Sequence, residues 1–84
     1  MTDKTLFNLQ SNPITTEAVF VIEASSITED SIITIYDLTE KKIATSTNIT
    51  ETTTLNLERF ANGLYLAKFE SNDRSKTIKI LVQH

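Results

Sequence analysis

The stretch Leu57-Glu58-Arg59-Phe60-Ala61-Asn62-Gly63-Leu64-Tyr65-Leu66-Ala67-Lys68-Phe69-Glu70 holds the only glycine of the 84-residue chain, one of its two tyrosines and two of its four phenylalanines. It reads as a strand end, a corner and a new strand. Gly63 can take a positive φ that Leu64 could not, so the corner is placed by sterics. Beyond it, Tyr65, Ala67 and Phe69 alternate with Leu64, Leu66 and Lys68, the period of a strand. A tyrosine two residues after a glycine, behind an apolar run, also has the form of a tyrosine corner, the device that pins the crossover of Greek-key sandwiches.

Outward from this corner the chain keeps the same short period. Leu55 and Leu57 share a face on the strand that enters it, and residues 58–61 form a tight bend. On the far side, Ser71-Asn72-Asp73-Arg74 is a tip rich in turn formers. Residues 76–82 are the last strand, with Ile78, Ile80 and Val82 on one face and Leu81 on the other. Earlier, a short strand over residues 6–10 puts Phe7 and Leu9 together and stops at Ser11-Asn12-Pro13, because Pro13 has no N–H for a ladder. Residues 17–24 follow as a strand with Phe20 and Ile22 inward, and residues 25–30 are polar and turn-like. Ile33 and Ile35 define one face of a strand over 31–37, with Ile32, Thr34 and Tyr36 on the other. Leu38-Thr39-Glu40-Lys41 is a hairpin turn without the expected glycine. Residues 42–46 return from it, anchored by Ile43, and 47–52 are a polar connection.

About seven short strands at roughly 10-residue spacing predict an all-β, immunoglobulin-like antiparallel sandwich. Residues 1–5 read as a linker or disordered segment and 6–84 as one domain. A chain this short buries only about 60% of its unfolded surface, so its margin of stability is thin. It has no cysteine, hence no disulfide to help. No apolar run approaches a transmembrane helix, and residues 1–7 have no signal-peptide core.

The net charge is −3. Phosphate binding needs a basic surface, so nucleic acid is not an expected partner. The eight basic residues are scattered apart from Lys41-Lys42 and the group Arg74, Lys76 and Lys79, which reads as a solvated sheet edge.

The residues offer little for catalysis, and the chain is not read as an enzyme. The only histidine is His84, at the end of the sequence, with nothing evident to hold it in register with a nucleophile. Without cysteine, zinc has no ligand set. Glu29-Asp30 and Asn72-Asp73 do not supply the alternating oxygens of a calcium loop, and one glycine cannot make a phosphate loop. No cofactor is expected. Asn48-Ile49-Thr50 fits the glycan acceptor pattern but also suits a plain polar loop. There is no tryptophan to serve as a sugar platform. Tyr65 is read as the corner residue and Tyr36 as half-buried packing.

Four segments in order nevertheless carry a resemblance. They are Asn12-Pro13, then Ile33-Thr34-Ile35-Tyr36-Asp37-Leu38-Thr39-Glu40-Lys41, then the corner Leu57 to Phe69, then Lys79-Ile80-Leu81-Val82. Together they resemble the C-terminal sorting domain (type A) of the type IX (Por) secretion system of Bacteroidetes, over nearly the whole chain. In that family Asn12-Pro13 match the end of a Pro-Asn-Pro, with Ser11 in place of its first proline. Tyr36, Asp37 and Lys41 match the middle motif, with Glu40 where a turn glycine is usual. Gly63 and Tyr65 match the corner, and Lys79, Ile80, Leu81 and Val82 the last strand, although the sequence ends in Gln83-His84.

The resemblance implies a non-enzymatic address label at the end of a larger secreted cargo. It implies recognition by the outer-membrane translocon and removal by a sortase-like surface peptidase that cuts near or before residues 2–6. The cargo is then held at the surface or released. The export leader would lie upstream in the same chain, with Met1 a start placed on a fragment. Strand addition along residues 76–82 is an expected recognition mode. The alternative is an immunoglobulin-like accessory module for adhesion to carbohydrate or protein. A long upstream cargo favours the label, and a mid-chain position favours the module.

Overall fold

Strands dominate because β-branched residues and alternating apolar positions leave few runs that suit a helix. The computed structural model describes residues 7–10, 16–72 and 74–84. Its seven strands are β1 (Phe7–Leu9), β2 (Glu17–Ile22), β3 (Ile32–Tyr36), β4 (Lys42–Ser46), β5 (Thr52–Asn56), β6 (Gly63–Ser71) and β7 (Arg74–Val82). One 3₁₀ turn, Ala24–Ser26, follows β2. The expected segment 1–5 and the Asn12-Pro13 stop lie outside the described residues.

The strands form two antiparallel sheets, in the orders β1-β2-β5 and β4-β3-β6-β7. The chain changes sheet between β2 and β3, between β4 and β5, and between β5 and β6, so the hairpins alone do not define the fold. This is the crossing pattern of an immunoglobulin-like sandwich. The fourth strand joins the sheet of the third and sixth, unlike constant-type immunoglobulin domains, where it joins the first and second.

Strand parity sets the core. From the first sheet come Phe7, Ala18, Phe20 and Ile22, and from the second Ile33, Ile35, Tyr65, Ala67, Phe69, Ile80 and Val82; Leu57, just past β5, joins them. The Phe7 ring stacks on Phe20 at 5.1 Å and on Phe69 at 5.4 Å between centroids. The three-residue first strand therefore bridges both sheets through one side chain, with offset ring contacts that add to its area burial.

Three expectations change. Ile43 does not anchor β4, being 42% exposed; Ala44 packs against the core instead. The cause is an irregular register between Ile35 and Tyr36: Ile35 faces Ala44, Tyr36 faces Lys42, and Ile43 is the extra residue. Thr34 is buried although it sits on the outer face of β3. His84 is held: its backbone N–H donates to Asn62 Oδ1 at 2.9 Å, and its Nε2 lies 2.7 Å from the Phe60 carbonyl oxygen, to which an Nε2–H donates.

Candidate functional site

The corner comes first, because it places β6 and hence β7. Glu58 N–H donates to Asn56 Oδ1 at 2.8 Å, and Phe60 N–H to the Leu57 carbonyl at 3.0 Å, closing the bend after β5. Gly63 then takes φ +149°, a value open to glycine and strained for other residues. Tyr65 turns inward, packs edge-on against Phe60 at 5.2 Å, and its hydroxyl donates to the Ala61 carbonyl oxygen at 2.6 Å. That bond completes a tyrosine corner. Gly63 and Tyr65 are therefore scaffold residues. His84 reaches the same bend through Phe60 and Asn62, so the end of the sequence and the corner are tied together.

The β3–β4 hairpin is organised by Asp37. Its carboxylate accepts the Thr39 hydroxyl at 2.6 Å and the backbone N–H groups of Thr39 at 2.9 Å and Lys41 at 3.0 Å. Foremost the Thr39 hydroxyl, then the Lys41 N–H, hold this carboxyl below the ordinary aspartate value. Asp37 and Lys41 also pair their backbones, and Glu40 N–H donates to the Asp37 carbonyl at 3.0 Å. Glu40 sits at φ +68°, the left-handed conformation in which a glycine is expected. The loop keeps the glycine geometry without the glycine, and the Asp37 hydrogen bonds compensate for the strain. Asp37 closes the turn, while the Lys41 side chain is exposed.

At the opposite end of the sandwich, Thr28 donates to the Asp30 carboxylate. The Thr28 hydroxyl lies 2.9 Å from Ser71 Oγ, and Ser71 donates to the Ser26 carbonyl at 2.5 Å. Asp30 also accepts from Asn72 N–H at 3.3 Å, and the Thr28 hydroxyl is the main cause of its lowered pKa. This network fastens the 3₁₀ turn to the β6–β7 tip, where Asn72 takes φ +59°.

The remaining motif residues divide by strand parity. Ile80 and Val82 are fully buried and work as core. Lys79 and Leu81 point outward, where the register aligns Leu64 with Leu81 and builds the row Lys42–Tyr36–Leu66–Lys79 across all four strands. Beside this row lies a hollow of about 270 Å³ lined by Tyr36, Glu40, Leu66, Lys68 and Thr77. Tyr36 thus shares an outward row with Lys79, with Leu66 between them, whereas Gly63 and Tyr65 serve the corner. Leu64, Leu66 and Lys68 of this face were not singled out as site residues. Their outward parity was legible; their cross-strand neighbours, which need the register, were not. Among the described strands β7 neighbours β6 alone, at the outer end of the four-strand order.

Among the described residues no three histidine, cysteine, aspartate or glutamate side chains are grouped to hold a metal ion. No helix among them is long and apolar enough to cross a membrane. No curated protein matches the chain. The family model described as secretion system C-terminal sorting domain matches residues 9–83. With a match over nearly its whole length, the chain belongs to the type IX (Por) family of secretion system C-terminal sorting domains.

Proposed function

We propose that this domain routes an upstream cargo in the same chain through the type IX outer-membrane translocon, and that a sortase-like surface peptidase then removes it. The family is a class of sorting signals and not of enzymes, and a sorting signal implies export to the cell surface or beyond. The observation that carries the reading is the family match over residues 9–83, which takes in the Tyr36-Asp37 hairpin, the Gly63–Tyr65 corner and the last strand.

Two structural facts support the finer steps. Among the described strands β7 is the outermost of its sheet, and the outer strand is where a sheet can take on a strand from a partner. Phe7 is fully buried between the sheets, so a cut that leaves the domain folded falls before it. That agrees with cleavage near or before residues 2–6. We assign residues 76–82 as the main recognition element, with Gly63 and Tyr65 holding the scaffold that presents it.

The test is a fusion of residues 1–84 behind a periplasmic fluorescent protein in a type IX-competent host. The fusion should reach the surface. A version lacking residues 82–84 should stay in the periplasm. Thermal unfolding of the truncated domain then separates a lost recognition element from a lost fold, because Val82 is also core. Export of the truncated fusion at the normal level would remove residues 82–84 from the signal.

A further inference from the structure

We propose that the outer face of the four-stranded sheet docks an acidic, partly apolar segment of a protein of the secretion machinery. The inference rests on the sorting role above and adds the surface and the chemistry by which the domain is held.

The chain is acidic, at −3, yet its charges are sorted by sheet. The strands of the four-stranded sheet carry Lys42, Lys68, Arg74, Lys76 and Lys79 against a single carboxylate, Glu70. The strands of the other sheet carry Glu17 and no cation. Folding thus concentrates cations on one layer of an otherwise acidic protein. Of these, Lys42, Lys68 and Lys79 stand on its outward face. Lys68 lies 3.9 Å from Glu70, an exposed pair of little strength.

Between the lysines the surface is apolar. Leu64 is 46% exposed and Ile43 42%, and Tyr36 and Leu66 are half-buried beside them. Lys42 and Lys79 close the two ends of the Tyr36–Leu66 row, about 14 Å apart at the spacing of neighbouring strands. An aromatic and aliphatic centre flanked by charges is the anatomy of a protein interface: the centre supplies desolvation, and the rim charges supply orientation and encounter rate. Carboxylates at the two ends of a partner segment complement Lys42 and Lys79, and apolar side chains between them meet Tyr36, Leu64 and Leu66. The hollow beside Tyr36 carries Glu40 as well as Lys68. A mixed-sign, shaped site of this kind suits a protein segment better than a uniformly anionic lipid surface, which Glu40 and Glu70 would oppose.

The surface reporter fusion tests this with Lys42→Glu/Lys79→Glu, Lys42→Arg/Lys79→Arg and, on the other sheet, Thr54→Glu. The charge-reversed fusion should fall by about tenfold or more at the surface, since like charges facing the partner cost more than 1.4 kcal/mol. The arginine and Thr54 variants should be exported as wild type. Thermal unfolding of the purified domain should show all of them folded; should the reversed pair not fold, Lys42→Gln/Lys79→Gln is scored in its place. Normal export of a folded, charge-altered variant overturns this inference and leaves the sorting role standing. A wild-type fusion that is never exported overturns the sorting role and this inference with it. The purified wild-type domain should not pellet with phosphatidylglycerol vesicles; pelleting that Lys42→Glu/Lys79→Glu abolishes would assign the face to lipid and overturn the protein partner.

Discussion

The Tyr65 hydroxyl reaches back to the Ala61 carbonyl oxygen, 2.6 Å away, and ties the first residues of β6 to the bend they have just left. The bond fixes where β6 begins, and β6 in turn sets the register of β3 and β7. Tyr65→Phe removes the bond and keeps the ring against Phe60. It should cost about 1 kcal/mol, as a single neutral hydrogen bond does, or roughly 4–8 °C in thermal midpoint for a domain of this size. Differential scanning calorimetry of the two proteins is the check, and equal midpoints would make the corner bond irrelevant to stability.

Gly63 isolates backbone strain from crowding. A Cβ built there meets nothing within 4 Å, yet φ is +149°. Gly63→Ala should therefore destabilise by about 1–3 kcal/mol through the dihedral alone, and Gly63→Val at least as much. Chemical denaturation with an unchanged slope and a lower midpoint is the expected signature. An alanine variant as stable as wild type would show that the corner relaxes to an ordinary φ.

Glu40 makes the opposite prediction. It holds φ +68° in a hairpin closed by Asp37, a conformation that strains a residue with a Cβ. Glu40→Gly relieves the strain but loosens the unfolded chain, so the net gain should be roughly 0.5–1 kcal/mol. A higher denaturation midpoint is the readout. A fall would mean that the Glu40 side chain contributes more to the hairpin than its backbone loses.

Much of this was legible in the residues, for identifiable reasons. Parity placed Phe20, Ile22, Ile33, Ile35, Ile80 and Val82 in the core, because a strand has only two faces and the apolar face must be inward. The corner was readable because one glycine and one tyrosine at fixed spacing have a single geometric use. β4 was misread because a bulge shifts parity by one, and Ile43 differs from Ala44 only in being larger. The hold on His84 was not legible, since its partners Phe60 and Asn62 are distant in sequence. The docking face was half legible: the lysines are visible in the chain, but their alignment with Tyr36 and Leu66 exists only once four strands are in register.

The Asp37 carboxylate gives the hairpin an acid dependence whose sign follows from its hydrogen bonds. The Thr39 hydroxyl first, and the Lys41 N–H after it, favour the ionised form, so the folded-state pKa lies below the ordinary value of 3.8. A carboxyl depressed by folding stabilises the native state at pH values above its unfolded pKa. That contribution is lost as pH falls through the lower, folded pKa, because the unfolded chain takes up the proton first. Asp37→Asn should therefore be less stable than wild type at neutral pH, and the gap should narrow only below about pH 4. Asp30, lowered chiefly by the Thr28 hydroxyl, acts in the same direction at the other end of the sandwich. Urea midpoints of wild type, Asp37→Asn and Asp30→Asn from pH 7 to pH 2 separate the two carboxyls, which are far enough apart in the fold for their effects to add. A gap between wild type and Asp37→Asn that stays constant down to pH 2 would show that the turn depends on the shape of the side chain and not on its charge.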